Sequence, residues 1–318
     1  MELIKKLEES KKTDFSFEIL PPLKGRKIEA IYKVIDDLIE FEPLNINVTY
    51  HQQEVVYKEL NNGVIEKKTI RKRPGTVAIA AAINYKYKNT IVVPHIICGG
   101  FSKEETEDAL IDLSFLGINN ILALRGDPPT NQKYFKPENH GHTHADGIIK
   151  QVMKMNKGIY CDHDLKNTQS TNFSVGIAGY PEKHYEAPNI EYDIQFLKQK
   201  IDAGAEYIVT QLFFDNNKYY DFVKKCRNAG IDVPIIPGIK PLITKKEMTV
   251  LPKIFNVEIP YELTKELNKT DDEKKIWQIG QEWAVQQSKE LIKFGVPEIH
   301  YFTISSSNTV KEVVKQVF

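Results

Sequence analysis

The stretch Asn120–Pro129, NILALRGDPP, decides the fold, because a hydrophobic strand runs into Arg125, Gly126 and Asp127 and stops there. An apolar strand that ends in charge marks the lip of a site. Working outward, the same grammar appears at Phe15–Pro22, FSFEILPP, where Ser16 and Glu18 share one face of an otherwise apolar strand closed by two prolines. Short runs rich in β-branched and aromatic residues also occupy Ile46–Tyr50, Ile91–Cys98, Phe173–Tyr180, Tyr207–Phe214, Pro234–Ile239 and Ile299–Ile304, which makes eight strand candidates. Helical patterns separate them. Ser102 and Glu105 form a capping box ahead of Ala109, Leu110, Leu113 and Leu116, and Ile190, Ile194, Leu197 and Ile201 make a second apolar stripe. Eight alternating units predict an α/β fold, a single (β/α)8 TIM barrel over residues 1–318 as one catalytic domain. A short N-terminal helix at Glu2–Ser10 and loop insertions at Asn61–Gly75 and Asn156–Asn172 are expected as additions. A doubly wound open sheet fits less well, since no GxGxxG turn follows the first strand.

Composition limits the function classes. The 318 residues exceed the common domain size of about 100–200, yet α/β barrels run longer as one unit. Hydrophobic residues at 41% and charged ones at 27% suit a globular core and argue against disorder. The 43 basic and 43 acidic side chains cancel, so no global field favours nucleic acid or an anionic membrane. Cys98, Cys161 and Cys226 are far apart and match no CxxC pattern, which suggests a reducing compartment. The charged N-terminus lacks the apolar core of an export signal, and no run approaches the roughly 18 apolar residues of a membrane span. A cytoplasmic protein is expected.

In a barrel the chemistry sits at the C-terminal strand ends. There the sequence offers Glu18, Asn47, Thr49, His95, Arg125, Asp127, Tyr180, Gln211, Thr303 and Ser305. Glu18 is either a barrel carboxylate satisfied by an internal salt bridge or a general acid whose pKa an apolar wall has raised. Asp127, on a turn after Gly126, is expected to stay ionised, and two carboxylates with divergent environments form an acid/base signature. His95 reads equally as a core histidine or a site residue. Pro94 with His95, and Pro237 with Gly238, are expected at strand ends where backbone approaches a ligand. Gln211, with Val209 and Phe213 on its face, is suited to reading a flat heterocycle edge. Asp193 and Lys200, two turns apart on one helix, read from the residues alone as surface groups. His140, His142 and His144 alternate as a metal loop could, but no carboxylate or cysteine ligand set accompanies them, and no metal site is expected. Thr244 and Glu247 form a second capping box.

With these residues in view, the sequence resembles the methylenetetrahydrofolate reductase family of the bacterial, flavin-dependent type. The likeness runs from about Phe15 to Phe302, through FSFEILPP, NVTY (Asn47–Tyr50), PHIIC (Pro94–Cys98), LALRGDPP (Leu122–Pro129), AGYPEKH (Ala178–His184), the helix from Asp193 to Lys200, DAGAEYIVTQLFFD (Asp202–Asp215) and IPGIKP (Ile236–Pro241). It implies a barrel that holds FAD and passes hydride from NADH or NADPH through flavin N5 to methylenetetrahydrofolate, in two half-reactions. Glu18 then corresponds to the general acid that helps open the folate imidazolidine ring, and Asp127 to the acidic residue beside flavin and pterin. Gln211 and Glu247 fall on substrate contacts. Thr49, His95, Arg125, Gly126, Asp127, Tyr180, His184, Asp193 and Lys200 fall on flavin-binding positions, which reverses the surface reading of the helix pair.

The resemblance further implies a homo-oligomer, dimer or tetramer. It also implies that a chain of 318 residues has no room for an adenosylmethionine-sensing domain. The sequence departs from the family at Leu212 and at Leu251, where some bacterial members have a phenylalanine, and at Thr143 and His144 in place of a tyrosine-alanine pair. A flavin-free pterin-binding barrel lyase or methyltransferase is the competing expectation.

Overall fold

The computed structural model describes residues 2–128, 132, 134–303 and 307–318. Its strands are β1 (Asp14–Ile19), β2 (Asn45–Val48), β3 (Glu54–Glu59), β4 (Ile65–Ile70), β5 (Ile91–Ile97), β6 (Asn120–Leu124), β7 (Ser174–Gly179), β8 (Tyr207–Leu212), β9 (Ile235–Ile239) and β10 (Glu298–Phe302). Eight of them close a barrel in the order β1-β10-β9-β8-β7-β6-β5-β2, every pairing parallel. These are the eight runs read from the sequence. The helices are α1 (Glu2–Glu9), α2 (Glu29–Asp36), α3 (Thr76–Lys86), α4 (Lys103–Phe115), α5 (Ala145–Met155), α6 (Ile190–Asp202), α7 (Asn216–Asn228), α8 (Glu247–Phe255), α9 (Tyr261–Leu267), α10 (Glu273–Phe294) and α11 (Ser307–Val317). The protein is a (β/α)8 TIM barrel.

Strand alternation splits the core into two shells. Phe15, Phe17, Ile19, Ile46, Val48, Ile121, Val175 and Ile299 face outward into one cluster with the helices. Inside the barrel, Ile91, Val93, Leu122, Tyr207, Val209 and Ile236 pack against Leu3 and Leu7 of α1. The Leu3 N–H donates to Asn120 Oδ1 at 3.4 Å, which ties α1 to the start of β6. The N-terminal helix thereby closes the lower end of the barrel, and the opposite, C-terminal end is left as the mouth. The capping box on α4 forms in both directions, with Glu105 N to Ser102 Oγ at 3.1 Å and Ser102 N to Glu105 Oε2 at 2.8 Å.

Three expectations need correction. The stretch around Asn61–Gly75 is not simply a loop: β3 and β4 form an antiparallel hairpin outside the barrel, turned at Gly63 with φ +74°. Its β4 half is almost wholly exposed and carries Glu66, Lys67 and Lys68, so the apolar alternation that announces a half-buried strand is missing. Pro94 and Pro237 lie within β5 and β9, not at their ends. At Gly238 the reason for glycine is interstrand closeness, since a Cβ would collide with the Thr210 carbonyl and the Phe302 ring. Finally, Phe213 does not share the face of Gln211. The register between β8 and β9 shifts between Val209 and Leu212, and Phe213 turns outward to stack on Tyr219 at 5.5 Å. The stretch 156–172 is irregular, pinned by Asn156 Oδ1, which accepts from Thr171 Oγ1 at 2.7 Å and Phe173 N at 2.9 Å.

Candidate functional site

Glu18 ends β1 on its inward face, with Asn47 of β2 and Phe302 of β10 as register partners. Its side chain keeps some solvent contact through the mouth yet is surrounded by protein, and burial alone pushes its pKa up to about 8. Among the described residues no cation lowers that value. Such a carboxyl is protonated at neutral pH and can donate. Thr303 Oγ1 hydrogen-bonds the Glu18 carbonyl and fixes the strand end. Ser305, the other candidate there, lies outside the described residues.

Next to Glu18, Thr49 donates its hydroxyl proton to Ile19 O at 3.2 Å and keeps its oxygen lone pairs as acceptors. His95 is buried inside the barrel with Nε2 3.2 Å from Asn47 Oδ1, and burial pushes its pKa down to about 3, so the ring is neutral. Across the mouth, Gly126 has φ +83°, a left-handed conformation suited to glycine, and even there its Cβ position is crowded by Ile97. Asp127 is exposed on the loop after β6, and its carbonyl accepts from Gln52 Nε2 at 2.5 Å, linking the loops that leave β2 and β6.

A second group of candidates gathers where β6 and β7 meet α6. Arg125 pairs with Glu186, donates to Tyr185 Oη at 3.2 Å and lies 5.2 Å from the Phe135 ring centroid. The Tyr180 ring stands edge-on to His184 at 4.8 Å. The His184 N–H donates to Asp193 Oδ2 at 2.7 Å, and burial together with nearby Arg125 pushes the His184 ring down to about 4. Asp193 is raised by burial, which outweighs that hydrogen bond and Lys200. Lys200 is enclosed, its pKa lowered by burial, and among the described residues no carboxylate forms an ion pair with it. An enclosed ammonium that makes no contact ion pair, and feels only the more distant charges of Asp193 and Asp146, suits an anionic ligand group.

Gln211 closes the ring on β8. Its Oε1 accepts from Leu212 N at 2.9 Å, so its amide N–H groups remain available. Glu247, expected to cap and to touch substrate, gives both oxygens to the protein: Oε1 pairs with Lys240 at 2.5 Å, and Oε2 accepts from Ile243 N at 2.7 Å and Thr244 N at 3.1 Å. Only the acid half of the second capping box forms. His142 of the histidine loop is held by Gln151, Nε2 to Oε1 at 2.5 Å.

The sequence reading missed Lys240, which is 6% exposed at the end of β9, and the buried pair Glu298 and His300 on β10. The sequence carries a signal for the pair, since Glu298 and His300 alternate with Ile299 and Tyr301, but β10 begins at Glu298, one residue before the run read from the sequence. Leu212 and Leu251 belong to an apolar cluster over this side of the mouth with Phe214, Leu242 and Val257.

A model of the methylenetetrahydrofolate reductase family matches residues 3–318. The chain is 31% identical over 314 residues to methylenetetrahydrofolate reductase 2 of Saccharomyces cerevisiae, covering 96% of this chain and 48% of that protein. It is also 31% identical over 293 residues to the 5,10-methylenetetrahydrofolate reductase of Pectobacterium carotovorum, covering 91% of this chain and 85% of that protein. The chain thus spans about half the length of its yeast and plant relatives and most of the bacterial one. A solved structure from Clostridium thermocellum, described as binding two copies of 5-methyl-5,6,7,8-tetrahydrofolic acid, superposes with a TM-score of 0.57 over 99% of this chain and 97% of that one. At 14% identity that likeness speaks to the fold alone. The family match spans nearly every strand and site position described above, and the chain belongs to the methylenetetrahydrofolate reductase family.

Proposed function

We propose that residues 1–318 form one catalytic domain that reduces 5,10-methylenetetrahydrofolate to 5-methyltetrahydrofolate with NADH or NADPH, using FAD, and so supplies methyl groups for methionine synthesis. The observation that carries the reading is Glu18, a carboxyl protonated at neutral pH and enclosed at the mouth with burial as the sole cause. Family membership supports the substrate class.

The donor set fits a flavin. Lys200 and Arg125 can hold a diphosphate, with His184 and Asp193 organising the loop behind them. Thr49, His95, Gly126, Asp127 and Tyr180, at or near the C-terminal ends of β2, β5, β6 and β7, would border a flat ring system lying across the mouth. A bound flavin supplies the hydride relay between nicotinamide and folate. Glu18 donates its proton to the folate nitrogen released as the imidazolidine ring opens, leaving the iminium carbon able to accept hydride. Gln211 presents its amide N–H groups to the pterin edge, and Asp127 orients the pterin from the opposite loop. Glu247 holds Lys240 and the chain after β9 in place.

Single-turnover absorbance tests this. Glu18→Gln should keep flavin reduction by pyridine nucleotide and lose flavin reoxidation by methylenetetrahydrofolate by roughly 10²–10⁴-fold. Normal folate turnover in that variant would overturn the assignment of Glu18. Colourless purified protein would instead favour a flavin-free lyase or methyltransferase.

A further inference from the structure

A line of buried polar side chains runs up the inside of the barrel and ends at a site residue. Glu298, at the start of β10, is 1% exposed and accepts from Asn45 Nδ2 through both oxygens, at 3.0 and 3.1 Å. Asn45 Oδ1 accepts from Asn47 Nδ2 at 2.7 Å, and Asn47 Oδ1 lies 3.2 Å from His95 Nε2. Asn45, Asn47 and His95 are 1%, 3% and 6% exposed, so bulk water does not compete for these links.

Each link has a direction. Burial pushes the Glu298 pKa up to about 7, against hydrogen bonds from Ser16 and Asn45 that favour its charged form; above that pH it is a carboxylate that only accepts, so Asn45 must turn its NH₂ toward Glu298 and its oxygen toward Asn47. Asn47 must then offer its own NH₂ to Asn45 and its oxygen to His95. An oxygen facing His95 Nε2 requires that nitrogen to carry the proton. We infer that Glu298 is a positioning residue that fixes His95 as the Nε2–H tautomer and leaves Nδ1 as a hydrogen-bond acceptor.

The ring has no other freedom to respond with, because burial keeps it neutral. Nδ1 has no hydrogen-bond partner among the described residues. A second branch leaves the same acid. The Ser16 hydroxyl stabilises the charged form of Glu298, and Ser16 Oγ lies 2.8 Å from His300 Nδ1. With its single proton spent on Glu298, Ser16 accepts from His300 Nδ1–H. One carboxylate therefore orders two neutral imidazoles in opposite tautomers. The role of His95 toward flavin rests on the function proposed above: there the ring would meet the cofactor as an acceptor for an N–H or O–H group.

Nitrogen NMR of the full chain labelled at histidine, recorded above about pH 8 where Glu298 is ionised, reads the tautomers with no cofactor present. Wild-type protein should show Nε2–H at His95 and Nδ1–H at His300, and the reverse at His95 would overturn the inference before any variant is made. Asn45→Leu should release His95 into a mixture while His300 stays fixed, and Glu298→Met should release both. A fixed Nε2–H tautomer at His95 in folded Asn45→Leu would also overturn it. Titration of FAD into each protein, read by flavin fluorescence, should show affinity about five- to tenfold weaker in Asn45→Leu, the loss of roughly one buried hydrogen bond. A released ring with unchanged FAD affinity would remove the link to the cofactor. Wild-type protein that binds no flavin would sink the proposed function and leave the tautomer result standing.

Discussion

The two halves of the barrel interior are built from opposite materials. Along β6 to β9 the apolar inward residues Leu122, Tyr207, Val209 and Ile236 pack on Leu3 and Leu7, and the buried polar residues Asn120 and Ser174 stand only at the starts of β6 and β7. Along β10, β1, β2 and the upper part of β5 the inward residues are Glu298, His300, Ser16, Asn45, Asn47 and His95, every one buried and polar. An apolar filling tolerates any arrangement of roughly the right volume, whereas a polar filling works only if every donor finds an acceptor. The apolar half holds the barrel together, and the polar half is where orientation is stored, directly beneath Glu18.

That contrast can be broken from either side. Tyr207→Ala empties the apolar half and should cost about 3–5 kcal/mol in denaturant unfolding while the tautomer of His95 is retained. On the mouth, Lys240→Met leaves Glu247 partly buried without its cation. The expected loss is about 3 kcal/mol, softened by the Ile243 and Thr244 N–H donors, and adding Glu247→Gln should recover part of it. Asn45→Leu removes one link from the polar half and should cost roughly 1–3 kcal/mol, less than the tyrosine, yet unlike the tyrosine change it should alter flavin affinity. Asp127→Asn should leave stability unchanged, because the side chain is exposed, and should slow the folate half-reaction while shifting the flavin potential. Smallest of all, breaking the exposed helix pair of Lys198 and Asp202 should change stability by under about 0.5 kcal/mol.

The two halves also differ in how legible they were. The apolar strands were found to within about two residues, since β-branched runs between capped helices are a strong local signal. Glu18, Arg125, Asp127, Tyr180 and Gln211 are legible as candidates because each interrupts or ends such a run. The hairpin was missed because β4 is charged and exposed, and the outward turn of Phe213 because a register shift leaves no mark in composition. The polar network was missed for a different reason. Its members lie on four strands, and no single strand announces that Asn45 faces Glu298, 253 residues away in sequence.

Ionisation gives the account a pH signature. Glu18 has a folded pKa of about 8 against the usual 4.5, so it favours the fold fully at pH below the unfolded value, and that contribution is lost as pH rises through about 8. The same group loses its proton, and with it the ability to donate that the proposed mechanism requires, over that upper range. The direct test is the rate of flavin reoxidation by methylenetetrahydrofolate, followed by stopped flow in anaerobic single turnovers across pH. The account predicts a plateau at neutral pH, a fall of about tenfold per unit above about 8, and a low, flat profile for Glu18→Gln. A wild-type rate that holds constant or rises through that pH would contradict it.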